Sequence, residues 1–408
     1  MQFRRRLHML PGPSEPYPEV LEKLQRQVLP HYGPEWEEAF NRVCEDLKKI
    51  FQTKGEIILY PGSGEPATHM VIANMVKPGD KVITLTNGFF GDHINLAVKA
   101  YGGNPILVRQ GFGEAIDPER VRKTAVKHKD AKCIFAVHVE TSSGVENPIR
   151  EIGEIAEDTG KTYVVDAIAS LGGCMLKMDG WNIDVCLGYA SKALSSIHVL
   201  SPIAIGSEVW KGVEEKPEYM KPYFMDFSAW KYMTWGGIHP VTMPTTNVLA
   251  LGEAVKIALR EGMKNRFERH HVAGKAVRAG VRAIGLKVLP KEQEAAGTLT
   301  AVKVPKGSED EIRRLMMEEF NIMVGGSLGG LVKGGGTYGK GELIRIGHMG
   351  LVASPEYIVP TLAALEQVLS EIEFQIEGSG VEAAMEIFKR RPTEWINGMF
   401  ARLRERYI

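Results

Sequence analysis

Short apolar runs alternate with segments of helical periodicity from about residue 55 to residue 188. Apolar runs bounded by turn residues predict buried strands, and apolar residues three and four positions apart predict helices. The alternation predicts a mostly parallel sheet with helices on both faces, in which ligands bind at the carboxyl ends of the strands. The predicted strands span residues 55–60, 81–86, 105–108, 132–139, 162–166 and 183–188, and the predicted helices span residues 66–76, 89–103, 118–128 and 148–160.

The pattern changes after residue 224. Residues 224–246 are rich in aromatic residues, glycine and proline and have little periodicity, which is typical of a functional or interfacial segment. A long helical stretch is predicted to follow, over residues 248–279. Beyond it the pattern predicts a smaller α+β unit, made of strands at 298–304 and 343–350, helices at 308–320 and 355–373, and a glycine-rich loop at 325–341.

The chain of 408 residues is too long for one compact core, so more than one domain is expected. We predict an N-terminal arm over residues 1–21, a large domain over 22–262, a small C-terminal domain over 263–375 and a helical extension over 376–408. The extension contains Lys389, Arg390, Arg391, Arg402, Arg404 and Arg406. We interpret it as a packed or interfacial amphipathic helix.

Composition and charge exclude several classes of protein. Lysine plus arginine and aspartate plus glutamate number 50 each, so nothing draws the chain to nucleic acid or to anionic membranes. No apolar run approaches the ~20 residues of a membrane span, and no secretory signal is visible. The four cysteines form no CxxC pair and are interpreted as buried free thiols. A cytoplasmic protein without a metal cluster is expected.

Four features lie where predicted strands end. YPGSGEPAT joins a strand to a helix, and its free N–H groups with the Ser63 hydroxyl favour an anion, although glycine turns are common there. Phe90 could pack in the core or face the ligand. Asp166 could cap a helix, bind a metal or act as a catalytic partner. Lys192, within GYASKALSS, could be solvated or be a nucleophilic amine in a dry pocket.

Taken together, these four features have the order and the chemistry that pyridoxal phosphate requires. The phosphate needs an N–H nest, the ring needs a stacking partner, the ring nitrogen needs an acid, and the aldehyde needs a lysine. The combination makes Lys192 a candidate Schiff-base lysine and Asp166 a candidate catalytic partner.

Seven segments resemble, in chain order, motifs of the class V aminotransferases of fold type I, in particular the alanine–glyoxylate and serine–pyruvate group. The resemblance covers nearly all of the chain. It implies an α/β large domain with a mostly parallel seven-stranded sheet, a smaller α+β domain, pyridoxal 5′-phosphate as cofactor, and a homodimer or a dimer-based tetramer. The segments are MLPGPSEPYPEVL, IFQTKGEIILYPGSGEPAT, HVETSSGVENPI, VVDAIASLGG, SKAL, HPVTMP and LIRIGHMG.

The resemblance also implies roles for single residues. Lys192 would bind the cofactor aldehyde and move the substrate proton, Asp166 would pair with the ring nitrogen, and Phe90 would stack on the ring. Arg345 would bind the substrate carboxylate, because a guanidinium matches a carboxylate bidentately. Ser191 stands where relatives often have glutamine. The remaining implied residues are Ser63, Gly64, Glu65, Thr141, Ser142, Ile168 and Ser191 around the cofactor, His239 and Thr242 toward the other subunit's phosphate, and Gly12 and Tyr32 in the substrate pocket.

The predicted activity is ping-pong transfer of an amino group from a small amino acid, such as alanine or serine, to a 2-oxo acid such as glyoxylate or pyruvate. Three alternatives stay open. RIGHMG and IEGSGVEAAMEIF resemble pyridoxamine–pyruvate aminotransferase, which uses the free vitamer. A lyase or hydrolase using the same cofactor would need an extra base or thiol. A non-catalytic protein on the same fold would tolerate loss of Lys192.

Overall fold

The computed structural model describes residues 6–213, 223–235, 237–330 and 337–389. The basic residues predicted at 390–406 therefore lie outside the described residues. The strands are β1 (Leu7–Met9), β2 (Glu56–Pro61), β3 (Lys81–Thr86), β4 (Asn104–Arg109), β5 (Cys133–Val137), β6 (Val139–Glu140), β7 (Val145–Glu146), β8 (Thr162–Asp166), β9 (Val185–Leu187), β10 (Leu200–Ile205), β11 (Lys287–Val288), β12 (Leu299–Lys303), β13 (Ile322–Gly326) and β14 (Leu343–Gly347).

The α-helices pack on both sheets and join their strands. They are α1 (Pro18–Glu22), α2 (Pro34–Phe51), α3 (Gly64–Met75), α4 (Phe89–Ala100), α5 (Pro118–Lys127), α6 (Ile149–Asp158), α7 (Ser207–Lys211), α8 (Phe227–Trp235), α9 (Thr245–Glu261), α10 (Met263–Ile284), α11 (Glu309–Phe320), α12 (Pro355–Glu371) and α13 (Gly380–Lys389). None of these helices is long and apolar enough to cross a bilayer.

The large sheet has seven strands in the order β2-β10-β9-β8-β5-β3-β4. Its neighbours pair in parallel except around β10, which runs antiparallel to both β2 and β9. The predicted mostly parallel sheet with seven strands is confirmed. Because six strands share one direction, the loops after β2, β3, β5, β8 and β9 meet at one edge, where a ligand site is expected.

The composition of the central strands explains their position. All residues of β5, β9 and β10 are buried, as expected for strands covered by helices on both faces. Helix α6 turns Ile149, Ile152 and Ile155 inward, an amphipathic face at helical spacing. Burial of this kind contributes about 25 cal/mol per Å² of apolar surface, so the sheet is a rigid base for the loops at its edge.

A smaller five-stranded sheet has the order β1-β13-β14-β12-β11. Its core contains Met9 from the N-terminal arm and Phe388 from α13, in addition to side chains of α10 and α12. A smaller α+β unit is therefore confirmed, and it also takes in the arm and the described part of the extension. The exact domain limits stay predictions.

Several elements differ from those predicted. The helical stretch predicted over residues 248–279 is helical, but Gly262, with φ +80°, divides it into α9 and α10. The segment 224–246 contains α8, although little periodicity is visible there. The prediction omitted α2, whose buried Trp36, Phe40 and Val43 have helical spacing among many charges. It also omitted β1, which has three residues, and β13, which has five.

Candidate active site

The loops at the carboxyl edge of the large sheet surround a cavity of about 220 Å³. Nine of the residues predicted from sequence line it, together with residues that the sequence did not single out. The lining residues are Gly12, Pro13, Gly64, Glu65, Thr68, Phe90, His93, Val137, Val139, Thr141, Asp166, Ile168, Ala169, Tyr189, Ser191, Lys192 and His198. Lysine, carboxylate, aromatic ring and glycine turn thus meet in one space.

Lys192 lies in the loop between β9 and β10, and its amine reaches the N-terminal arm. The Nζ atom donates a hydrogen bond of 2.6 Å to the Pro11 carbonyl. At Gly12, where φ is +125°, an added Cβ would lie 2.1 Å from Nζ, so a side chain there would have to displace the lysine side chain. Burial, followed by the positive charge of Arg345, lowers the pKa of Lys192 from 10.5 to about 8. A substantial neutral fraction of the amine is therefore present at mildly alkaline pH.

Asp166 ends β8 and is only 6 % exposed. One carboxylate oxygen accepts the Ile168 N–H at 2.9 Å. Burial raises the pKa of Asp166 to about 7, although the Ile168 hydrogen bond and the Lys192 charge act in the opposite direction. A buried acid of this kind gains from a cationic partner in the cavity, because the partner would restore its ionised form.

The first turn of α3 faces the same cavity through Gly64 and Glu65. Ser63 is the N-cap residue, yet its side chain makes no capping hydrogen bond. The hydroxyl and the N–H groups of an uncapped first turn are available to an anion, which the helix dipole also favours. Glu65 is exposed there, and its own carboxylate would oppose an anion.

Phe90 is held by a buried carboxylate that the sequence analysis did not single out, Glu140. One oxygen of Glu140 accepts the N–H groups of Phe90 and Gly91, both at 3.1 Å. The other accepts the N–H of Ser142 at 3.0 Å and its hydroxyl at 2.6 Å. Burial raises the pKa of Glu140, and these donors partly offset that effect. Glu140 therefore fixes the start of α4, and with it the ring that lines the cavity.

Arg345 lies on β14 and reaches toward the large sheet. Its Nε donates to the Gly326 carbonyl at 2.6 Å, and Nη1 donates to the Thr141 carbonyl at 3.1 Å. It does not itself line the cavity, but Thr141 does. The side chain is buried, which lowers its pKa to about 10, so it remains cationic at neutral pH. A buried guanidinium beside the cavity is suited to a carboxylate.

Ser191, which precedes the lysine, is paired with a residue that the sequence analysis missed. Its hydroxyl lies 3.0 Å from Nδ1 of His198, which also lines the cavity. His198 follows GYASKALSS by only two residues, so its closeness in sequence was the available signal. Thr68, His93 and Tyr189 also line the cavity without having been predicted.

Six predicted residues do not line this cavity. Ser63 and Ser142 adjoin lining residues and Arg345 bonds to one, whereas the other three lie further away. Tyr32 is 64 % exposed, and Thr242 is exposed as well. His239 is buried elsewhere, against Phe40 and Trp36, and its Nε2 accepts the Trp36 indole N–H at 2.9 Å. The roles that the resemblance implies for these residues stay predictions.

The cysteines do not supply an alternative nucleophile. All four are buried and unpaired, as predicted. Burial raises the pKa of Cys174 and Cys186 well above that of a free thiol, whereas a reactive cysteine needs a stabilised thiolate. Within the described residues, no group of three or more histidine, cysteine or acidic side chains could hold a metal ion.

Residues 13–333 match the family model of the class V aminotransferases. The chain belongs to this family. An uncharacterised aminotransferase of Methanocaldococcus jannaschii is 35 % identical over 94 % of this chain and 97 % of its own length. The (S)-ureidoglycine–glyoxylate transaminase of Bacillus subtilis is 30 % identical over 93 % of this chain and 95 % of its own length.

Solved structures of aminotransferases share the fold. The ureidoglycine–glyoxylate aminotransferase of Bacillus subtilis superposes with a TM-score of 0.86 at 30 % identity, over 95 % of this chain and 99 % of that one. The pyridoxamine–pyruvate aminotransferase of Mesorhizobium loti also has a TM-score of 0.86, at 26 % identity, over 94 % of this chain and 97 % of that one. The fold is therefore fold type I.

The chain is thus an aminotransferase whose cofactor is pyridoxal 5′-phosphate. The donor set around the cavity fits this group. A buried amine of lowered pKa suits the aldehyde, a buried carboxyl suits the ring nitrogen, and the uncapped α3 turn suits an anion. Lys192, Asp166, Phe90 and the turn at Gly64 would hold the cofactor there.

Proposed function

We propose that this aminotransferase moves the amino group of a small amino acid, such as alanine or serine, to glyoxylate, pyruvate or a similar 2-oxo acid in a ping-pong reaction. The observation that carries the proposal is the convergence of Lys192, Asp166 and the Arg345 guanidinium at one edge of the sheet. Relatives named as alanine–glyoxylate, serine–glyoxylate and ureidoglycine–glyoxylate aminotransferases support the same acceptor class.

Lys192 would be the base of the reaction. The cofactor supplies an aldehyde and an electron-accepting ring when it is bound. A lysine in a buried site can be neutral near pH 8, and a neutral amine can bond to a carbonyl carbon or take a proton from the substrate Cα. Asp166, ionised once a cationic partner lies beside it, would keep the ring nitrogen protonated and so keep the ring electron-accepting.

Arg345 would bind the α-carboxylate of both substrates. The amino acid and the 2-oxo acid each carry this group, so one guanidinium serves both halves of a ping-pong reaction. Two of its nitrogens already donate to the carbonyls of Gly326 and Thr141, which fixes the fork before the substrate arrives. Preorganisation of this kind lowers the entropic cost of binding.

We also propose that the enzyme is a cytoplasmic homodimer in which Thr242 approaches the phosphate of the other subunit, whereas His239 packs inside its own subunit. The exposure of Thr242 supports this assignment, because the residue is available to a partner. Sedimentation should show a dimer, and Thr242→Ala should weaken cofactor affinity without changing the dimer. A monomer that binds the cofactor with unchanged affinity would exclude the shared site.

The proposed activity is tested by loading the enzyme with pyridoxal phosphate and treating it with borohydride. The cofactor should become attached to the Lys192 peptide, and Lys192→Ala should remain unlabelled. Amino acids are then screened for conversion of the bound cofactor to its amine form, and 2-oxo acids for its recovery. Product release without amine-form cofactor, for every amino acid tested, would instead indicate a lyase or hydrolase.

A second candidate function, transamination of free pyridoxamine with pyruvate, is favoured by Glu65. Its exposed carboxylate lies in the α3 first turn and lines the cavity, where it would repel a phosphate. The relative named pyridoxamine–pyruvate transaminase from Mesorhizobium japonicum is 27 % identical over 92 % of this chain. Calorimetric titration with pyridoxal and with pyridoxal phosphate separates the two functions. Glu65→Gln should strengthen phosphate binding more than it changes pyridoxal binding.

A further inference from the structure

A buried ionic cluster lies directly beneath the Lys192 loop. Arg266 has no exposed surface, and its Nε donates to the Gly172 carbonyl at 2.7 Å. Its Nη2 donates to the carbonyl of Ala193, the residue after Lys192, at 2.5 Å. Its Nη1 binds the Glu261 carboxylate at 2.8 Å. Arg266 therefore fixes the backbone next to the reactive lysine, at Ala193.

Arg269, one turn further along α10, holds a turn of the small domain. Its Nη1 donates to the carbonyls of Gly350 and Ala353 at 2.7 and 3.0 Å, and its Nε donates to Glu261 at 2.5 Å. Gly350 follows the end of β14 by three residues. Arg345, the proposed carboxylate-binding residue, lies on β14. Arg269 therefore binds the backbone that directly continues the Arg345 strand.

The turn at residues 350–353, which Arg269 binds, also contacts the Lys192 loop directly. The N–H of Leu351 donates to the Ser195 hydroxyl at 2.8 Å. At Gly350, where φ is +65°, an added Cβ would lie 1.9 Å from the same hydroxyl oxygen. His270 accepts the Gly350 N–H at 2.8 Å from below. The turn is therefore enclosed between the lysine loop and α10.

Glu261 joins the two arginines into one unit, which we call the α10 clasp (Glu261, Arg266 and Arg269). Burial alone would raise the pKa of Glu261, but Arg269 and Arg266 outweigh it and hold that pKa well below the usual range. Buried ion pairs often contribute less to stability than apolar residues of the same volume. We therefore attribute to the clasp a role in fixing the two backbone segments that it binds, and not mainly a role in stability.

We propose that Arg266 and Arg269 are positioning residues that fix Arg345 relative to Lys192. The substrate α-carboxylate would bind to Arg345, and its Cα would react beside Lys192. The separation of these two side chains therefore determines where the Cα lies. The inference rests on the proposed roles of Lys192 and Arg345. It extends them, because Arg266 and Arg269 do not line the cavity and yet would determine how the substrate is placed against Lys192.

The test uses Arg269→Lys and Arg266→Lys in the full-length enzyme loaded with cofactor. Lysine keeps the charge but lacks the fork that reaches several partners. Arg278→Lys is the matched control, because Arg278 is on the same helix, is buried, and pairs with Glu292 and the Ala296 carbonyl away from the lysine loop. The clasp variants should lose about 100-fold in kcat/KM for amino acids, as expected for a displacement near 1 Å. The control should retain nearly full activity.

A double-mutant cycle distinguishes positioning from general damage. In an Arg345→Ala background the spacing no longer matters, so Arg269→Lys should cost only about 3-fold or less. An equal loss in both backgrounds, or an equal loss in Arg278→Lys, would overturn the proposal.

A second measurement needs no catalysis. In the cofactor-free enzyme, the Gly350 and Leu351 amides should exchange hydrogen faster in Arg269→Lys than in wild type or Arg278→Lys. Unchanged exchange would also overturn the proposal. A wild-type enzyme that transfers no amino group would refute the proposed function instead, and the exchange measurement would still report on the clasp.

Discussion

The acidity of the Lys192 amine can be predicted from its surroundings. Its pKa falls from 10.5 to about 8 because the cavity wall removes water and because Arg345 places a positive charge nearby. A lowered pKa means that the protonated amine is disfavoured, so the amine is cationic well below pH 8 and neutral well above it. At pH 7 the neutral fraction is roughly 300 times that of an ordinary lysine, since each pKa unit is a factor of ten.

Competitive acetylation of the cofactor-free enzyme checks this prediction. The pH is varied from roughly 6 to 11, so that it covers both the lowered and the ordinary pKa of a lysine. The Lys192 peptide is quantified by mass spectrometry against that of Lys306, whose side chain is 90 % exposed. Acetylation of Lys192 should rise with a midpoint near the predicted pKa of about 8. Arg345→Ala should move the midpoint upward, because one of the two causes is removed. A midpoint at 10.5 in the wild type would refute the reasoning.

Three further predictions follow from contacts in the site. Gly12→Ala should displace the amine of Lys192, since its Cβ would meet Nζ at 2.1 Å, and reduce kcat by about 100-fold. Alanine at φ +125° should also lower the melting temperature slightly, and normal turnover would contradict the prediction. Glu140→Gln should cost about 1–3 kcal/mol of unfolding free energy in urea, because an amide nitrogen would face N–H donors, whereas Ser142→Ala should cost less. Asp166→Asn should hold the cofactor but lose turnover, and retained turnover would remove the acid from the mechanism.

Much of the site could be predicted from the sequence because its residues lie at strand ends in chain order. Asp166 follows an apolar strand directly, and Lys192 is a single charge among small residues. The parallel sheet brings such positions together whatever the loop details. The family resemblance then added Arg345, which lies more than 150 residues further along the chain and has no local signal of its own.

Residues whose role depends on tertiary contact could not be predicted. Glu140 is one acid in a polar motif, and nothing in HVETSSG indicates that four donors surround it. Arg266 and Arg269 lie among other charges on a helix, where solvent exposure is the usual expectation. The break at Gly262 was missed because the apolar periodicity continues across it.

The N-terminal arm has a consequence for the order in which the enzyme matures. Its strand Leu7–Met9 pairs in parallel with Ile322–Val324, so residues separated by 322 − 7 = 315 positions must meet. During synthesis the first residues leave the ribosome long before their partner strand exists. The Pro11 carbonyl can therefore reach the lysine amine in its final geometry only after most of the chain has emerged, and the catalytic site is among the last parts of the molecule to form.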